Sequence, residues 1–220
     1  MAISKFNYNS FNVTPVAGKA LAFNSDADGF STAGASSMVL IKTLTASSSG
    51  TLSFVDGSSS VVLDNTYPVY KFVLSNIHPQ TDDVAFSFNF RDGGSNFDAP
   101  KTTTFIDHAH NEAGNDDAFG YGSGRDLAQG TGEQFLIGGG AEIGNDNDQV
   151  LSGSLTLYNP SSTTFVKHFI ARSIANESRD YMWHSRVAGY ANVTAAIDGV
   201  RFIMSSGNID SGTIKLYGIA

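Results

Sequence analysis

Large apolar residues and small or polar ones alternate along much of the chain with a period of two. Val84, Phe86, Phe88 and Phe90 alternate with Ala85, Ser87, Asn89 and Arg91. Successive side chains of a strand point to opposite faces, so this run predicts a strand with one buried aromatic face. Tyr70, Phe72 and Leu74 alternate with Lys71, Val73 and Ser75, which predicts a central strand covered on both sides. The same period recurs in Leu151–Leu157, in Phe165–Ile170 and in Thr213–Ile219. Between these runs lie Asp56-Gly57, Asp92-Gly93-Gly94, Asn159-Pro160-Ser161 and Ser206-Gly207-Asn208. Gly and Asn tolerate positive φ, so these are turns. About a dozen strand-like runs recur at roughly 8–12 residues, the spacing of a sandwich or barrel. No segment keeps a helical apolar stripe, and residues 191–196 supply one helical turn at most.

Two stretches break the pattern. Residues 1–35 are rich in Asn, Ser, Ala and Gly with single aromatics, and read as an extended arm. Residues 107–147 are glycine-rich and acidic, with Phe135-Leu136-Ile137 as the one clear strand, and read as a long loop region. A loop of that length inside a compact domain usually has a function or is ordered by a neighbour.

Composition narrows the classes. The chain has 220 residues, 13 Lys plus Arg, 21 Asp plus Glu and a net charge of −8. With no Cys, disulfide scaffolds, zinc fingers and cysteine nucleophiles are excluded. A pI of about 4.9 argues against a nucleic-acid footprint, which needs a basic face to meet phosphates. No apolar run approaches the ~18–20 residues of a membrane helix. The opening Met1-Ala2-Ile3-Ser4-Lys5-Phe6 lacks the basic and apolar regions of a secretory signal, so export by that route is not expected.

Candidate chemistry is sparse. His108 and His110 share one face of any strand that holds them, with Asp107 and Glu112 beside them. This spacing matches no metalloenzyme signature, and a solvated polar loop is the plainer reading. Asn145-Asp146-Asn147-Asp148 offers oxygen ligands for calcium through Asp146 and Asp148, as Asp26-Ala27-Asp28-Gly29 also does. A polar turn bonded to its own backbone competes with that reading. Gly120-Tyr121-Gly122-Ser123-Gly124 comes nearest to a nucleophile elbow, but no buried strand precedes it. Trp183, Tyr121, Tyr181 and Tyr190 supply aromatic faces on which a sugar ring can stack. Alternation along Met182–Ala188 also allows Trp183 to face the core.

A longer resemblance rests on ordered short motifs. Tyr67–Pro79, closing on Asn76-Ile77-His78-Pro79, is followed by Thr81-Asp82-Asp83, a strand, and Asp92-Gly93-Gly94-Ser95. Gly124–Ala128, Gly144–Gln149 and the closing Ser211–Ile219 follow in order. This series resembles a module of virion structural proteins of tailed bacteriophages, especially marine ones, over Ser36–Ala220. The resemblance carries no catalytic residues.

The expectation is an all-β chain: a jelly-roll-like antiparallel β-sandwich over 36–220 with an N-terminal extended arm over 1–35. The resemblance implies a non-enzymatic virion component, such as a head decoration, fibre or tail-appendage subunit. The alternative is a carbohydrate-binding module for host-surface attachment; a glycan-degrading enzyme is a third reading. Expected partners are further copies of the chain, with a trimer favoured, other virion proteins and possible host-surface glycans. No nucleic acid, membrane or cofactor is expected beyond the possible calcium. Phe6, Tyr8, Phe11, Phe23 and Phe30 are too widely spaced to form a core of their own. They are expected to bury against the sandwich or a neighbouring subunit.

Overall fold

The computed structural model describes residues 21–23, 29–32, 37–137 and 142–220. Phe6, Tyr8 and Phe11 lie outside the described residues, as does Asp26-Ala27-Asp28. Two compact units divide the chain, residues 1–37 with Ala220 and residues 38–219. In the first unit, β1 (Leu21–Phe23) pairs antiparallel with β2 (Phe30–Thr32). Phe23 and Phe30 are cross-strand partners, and their rings stack with centroids 5.0 Å apart.

The second unit is a β-sandwich of two antiparallel sheets. Its strands are β3 (Met38–Thr45), β4 (Leu52–Val55), β5 (Val69–Pro79), β6 (Phe86–Arg91), β7 (Lys101–Asn111) and β8 (Asp117–Tyr121). They continue as β9 (Gln134–Phe135), β10 (Leu151–Tyr158), β11 (Lys167–Asn176), β12 (Tyr181–Ala191), β13 (Gly199–Met204) and β14 (Ile209–Ile219). No helix occurs among the described residues. The large sheet has eight strands in the order β3-β14-β5-β10-β11-β12-β7-β8. The small sheet has four in the order β4-β13-β6-β9. Early strands pair with late ones: β3 with β14, β4 with β13, β5 with β10 and β6 with β9. β7–β8 and β11–β12 are inserted into this scheme and widen the large sheet alone.

Aromatic side chains fill the space between the sheets. Phe202 of β13 lies 5.6 Å from Phe72, 6.0 Å from Phe86, and 6.4 Å from both Phe54 and Phe88. Phe88 and Phe90 also meet Phe169 edge-on at 5.5 and 5.1 Å. Each such pair adds about 0.5–1.5 kcal/mol beyond the area it buries. The expected register of Phe72, Phe86 and Phe88 is met, since all three are fully buried. The intervening Ser87 and Asn89 are buried too. Ser87 Oγ donates to Ile203 O at 3.2 Å and Asn89 Nδ2 donates to Thr131 O at 3.0 Å.

The stretch 107–147 is not a loop throughout. It contains the end of β7, all of β8 and β9. Backbone pairing with β12 extends β7 to Asn111 although the outward residues of its second half, His108 and His110, are polar. Farther along, β5 and β14 carry irregular register, with Asn76 at φ 51° and Gly212 at φ 117°. A Cβ at Gly212 would come within 2.6 Å of Asn76 O, so glycine is required there.

Two lysines are fully buried at one end of the large sheet. Lys167 Nζ donates to the carbonyls of Val193 (3.1 Å), Thr194 (2.9 Å) and Ala195. Lys101 Nζ donates to Ala99 O at 2.9 Å and to Asn89 Oδ1. Burial pulls the Lys101 ammonium down to about 8, against the opposing charges of Glu133, Asp98 and Asp92.

Two outcomes follow from this packing. Phe88→Ala removes a ring that touches both sheets and should cost about 3–5 kcal/mol in denaturant unfolding; an unchanged midpoint contradicts the assigned register. Lys101 titrates lower in the folded chain than in the unfolded one, where lysine sits at about 10.4. The unfolded chain therefore holds more protons between those values, and stability rises with pH across the window of about 8–10.4. Lys101→Met should flatten that rise relative to the parent, and parallel stability–pH curves would refute the assignment.

Candidate functional site

The large sheet has twice as many strands as the small one, and its outward face is the broadest regular surface of the second unit. Strict alternation decides what it carries. On β11, Lys167, Phe169, Ala171, Ser173 and Ala175 turn inward, while His168, Ile170, Arg172 and Ile174 are exposed. On β12, Trp183, Ser185 and Val187 turn inward, while Met182, Arg186 and Ala188 are exposed.

Register then assembles rows across the strands. One row runs Thr43–Lys215–Val73–Ser154–Arg172–Arg186–Ile106–Tyr121, each residue the direct partner of the next. Arg172 and Arg186 are therefore directly opposed on adjacent strands. Like charges so placed repel and destabilise a sheet. Among the described residues neither arginine, nor Lys215, nor Lys71 takes part in an ion pair. The row on one side runs Tyr217–Lys71–Thr156–Ile170–Ala188–Thr104. The row on the other side contains Ser152–Ile174–His184–His108–Phe119. None of these three rows holds an Asp or Glu, although the chain carries a net charge of −8. Carboxylates return beyond these rows: Asp117 pairs with His110 in the next row, Asp126 accepts the Tyr121 hydroxyl at 2.7 Å, and Asp210 of β14 lies 3.7 Å from His78.

His184 Nδ1 lies 3.1 Å from His108 Nε2. Burial, then His108, Arg186 and Arg172, hold the His184 imidazole below its ordinary value. The ring thus adds charge to the face only in acid. Beside it a shallow depression of about 260 Å³ is lined by Ser152, Gly153, Ser154, Arg172, Ile174 and His184. A second depression of about 410 Å³ is mainly apolar and is bounded by Tyr158, His168, Ile170 and Tyr190. Gly189 is in its lining, and a Cβ there would turn inward to within 2.7 Å of Thr103 Cγ2.

The aromatic trio expected to bind sugar is not assembled. Trp183 is only 7% exposed and faces inward with its partner Ala109. Tyr121 faces outward opposite Ile106, and Tyr181 donates its hydroxyl to Asp116 Oδ2 at 2.6 Å. Alternation puts Trp183 on the opposite side of the sheet from Tyr121, so the three cannot form one platform. Tyr190 does face outward, where it borders the apolar depression with Tyr158.

The polar candidates divide in the same way. His108 and His110 share the outward face, but Asp107 turns inward, and burial pushes its carboxyl up. Asp107 therefore cannot complete a site with the histidines. Asp146 uses its backbone, with its carbonyl 3.2 Å from His78 Nε2 and its N–H donating to Gln149 Oε1. Asp148 lines a polar depression with Asn76, His78, Asn147 and Asp210. Among the described residues no group of three or more His, Asp or Glu is placed to hold a metal ion. In the first unit Phe23 is 73% exposed within its stacked pair with Phe30.

Arg172, Arg186 and Lys215 were not singled out by the sequence reading. Their outward alternation is visible in the sequence, but their juxtaposition needs the pairing of β11 with β12 and of β5 with β14. No protein-family model, curated protein or solved structure matches the chain.

Proposed function

We propose that the chain is a non-enzymatic structural subunit of a bacteriophage virion, built on a jelly roll. Strand order carries this reading. The strands β3, β4, β5, β6, β9, β10, β13 and β14 can be taken as first to eighth along the chain. One sheet then contains the order first, eighth, third, sixth, and the other runs second, seventh, fourth, fifth. That is the order produced when one antiparallel ribbon of four strand pairs rolls into two sheets. Double-sheet jelly rolls recur in viral capsid and lectin domains. A fold hosts many functions, so the virion assignment leans equally on the motif series from Ser36 to Ala220. In the structure that series includes the irregular ends of β5 and β14, where Asn76 and Gly212 meet. The subunit acts as a homo-oligomer, with a trimer favoured, and residues 1–35 help to join its copies.

A second reading, carbohydrate binding at the host surface, is favoured by one observation. The depression between Tyr158 and Tyr190 is mainly apolar, with Thr102, Thr104 and His168 also in its lining. Apolar walls with a few polar groups at the rim suit the faces and hydroxyls of a sugar.

Mass spectrometry of gradient-purified particles tests the virion role. The chain should co-purify with the particles at structural stoichiometry and resist a high-salt wash. Recovery only in the soluble lysate, with none in the particle fraction, would overturn it.

A further inference from the structure

We infer that the outward face of the large sheet binds an acidic polysaccharide, whose carboxylate or sulfate groups lie along the stripe Lys215–Arg172–Arg186. This deepens the carbohydrate-binding reading and is independent of the virion role.

The stripe crosses the strands from β14 through β5, β10 and β11 to β12. Neighbouring strands are about 4.8 Å apart, so its three cations span roughly 19 Å. Lys71 stands one row away on β5, and its partner Thr156 borders Ile170. Two opposed arginines without an acid cost stability in the free protein. An anion seated between them removes that repulsion and gains charge-assisted hydrogen bonds, which guanidinium groups make in pairs. Ser152 and Ser154 line the depression that holds Arg172, so hydroxyl donors are present where an anionic group would sit.

The surroundings favour a glycan over a nucleic acid. Duplex DNA carries one charge per ~1.7 Å of axis, far denser than three cations over this span can match. A polysaccharide with one acidic group per one or two sugars matches a sparse stripe. One row from Arg172 lies Ile170, the near wall of the apolar depression with Tyr158, His168 and Tyr190. Acid groups on the stripe therefore bring a sugar face over that depression. Exposed apolar Ile106 and Ile174 flank the cations and give the rest of the polymer a surface with little hydration to lose.

The test measures binding of the full chain to immobilised alginate (uronate), heparin (sulfate), dextran (neutral) and single-stranded DNA at low and moderate salt. Alginate or heparin should bind, with an affinity that falls as salt rises, and dextran should not. Arg172→Ser with Arg186→Ser should weaken that binding by about tenfold or more, the scale of losing a charge-assisted pair. Ser154→Glu keeps both arginines, gives Arg172 a cross-strand acid and should also abolish binding while the melting temperature is held or raised. That variant separates loss of the site from loss of the fold. Alginate and dextran bound equally well, with the arginine variants binding as the parent does, would overturn the cationic stripe and leave carbohydrate binding standing. Binding to none of the three polysaccharides would overturn both. DNA bound as tightly as alginate would overturn the assignment to a glycan.

Discussion

Everything in the second unit depends on the contact of Phe202 with the rings of Phe54, Phe72, Phe86 and Phe88. Phe202 sits on β13, inside the small sheet, and Phe72 sits on β5, inside the large one. The cluster therefore joins the two sheets at their centres rather than at an edge. Close packing there fixes the register of β6 and β13, because a slip of one residue would turn Phe86, Phe88 and Phe202 to the wrong face. It also fixes the register of β5, and through β5 the positions of β10 and β14 on either side.

That constraint has a consequence at the other surface. Four strands cannot cover eight, and the inserted β7–β8 and β11–β12 widen only the large sheet. Inward residues of the insertions find cover in Phe88, Phe90 and the chain around Leu136. Within the described residues of this unit, their outward residues have no second layer. The central rows of that face hold cations, histidines, hydroxyls and scattered apolar side chains, while carboxylates such as Asp117 and Asp210 lie toward its margins. Such segregation costs stability through the opposed Arg172 and Arg186, a repulsion that an anion seated between them would remove.

Much of the fold was legible from period two alone. Phe72, Phe86 and Phe88 declare their buried face because their neighbours are smaller or polar. The turns at Asp56-Gly57 and Ser206-Gly207 were equally plain, with both glycines at positive φ. The strand character of residues 107–121 was not legible, because polar His108, His110 and Asp117 alternate with small residues. There pairing with β12 imposes the strand on β7, and β7 in turn pairs with β8; the first is a long-range term that no local window contains. Trp183 illustrates the same limit, since its alternation was visible but its side of the sheet depended on tertiary register. The candidate stripe was the least legible feature of all. Lys215, Ser154, Arg172 and Arg186 come from four strands, and no local spacing links them.

The decisive property of the large sheet is where an acidic oligosaccharide lands on it. Amide chemical shifts of the isotopically labelled chain, followed during titration with an alginate oligosaccharide, measure this directly. The account predicts shifts centred on Ser154, Arg172, Arg186 and Lys215 and extending to Ile170 and Tyr190, with a neutral oligosaccharide leaving them in place. Shifts confined to the polar depression around Asp148 and Asp210, or a stripe that does not respond while the oligosaccharide binds elsewhere, would contradict it.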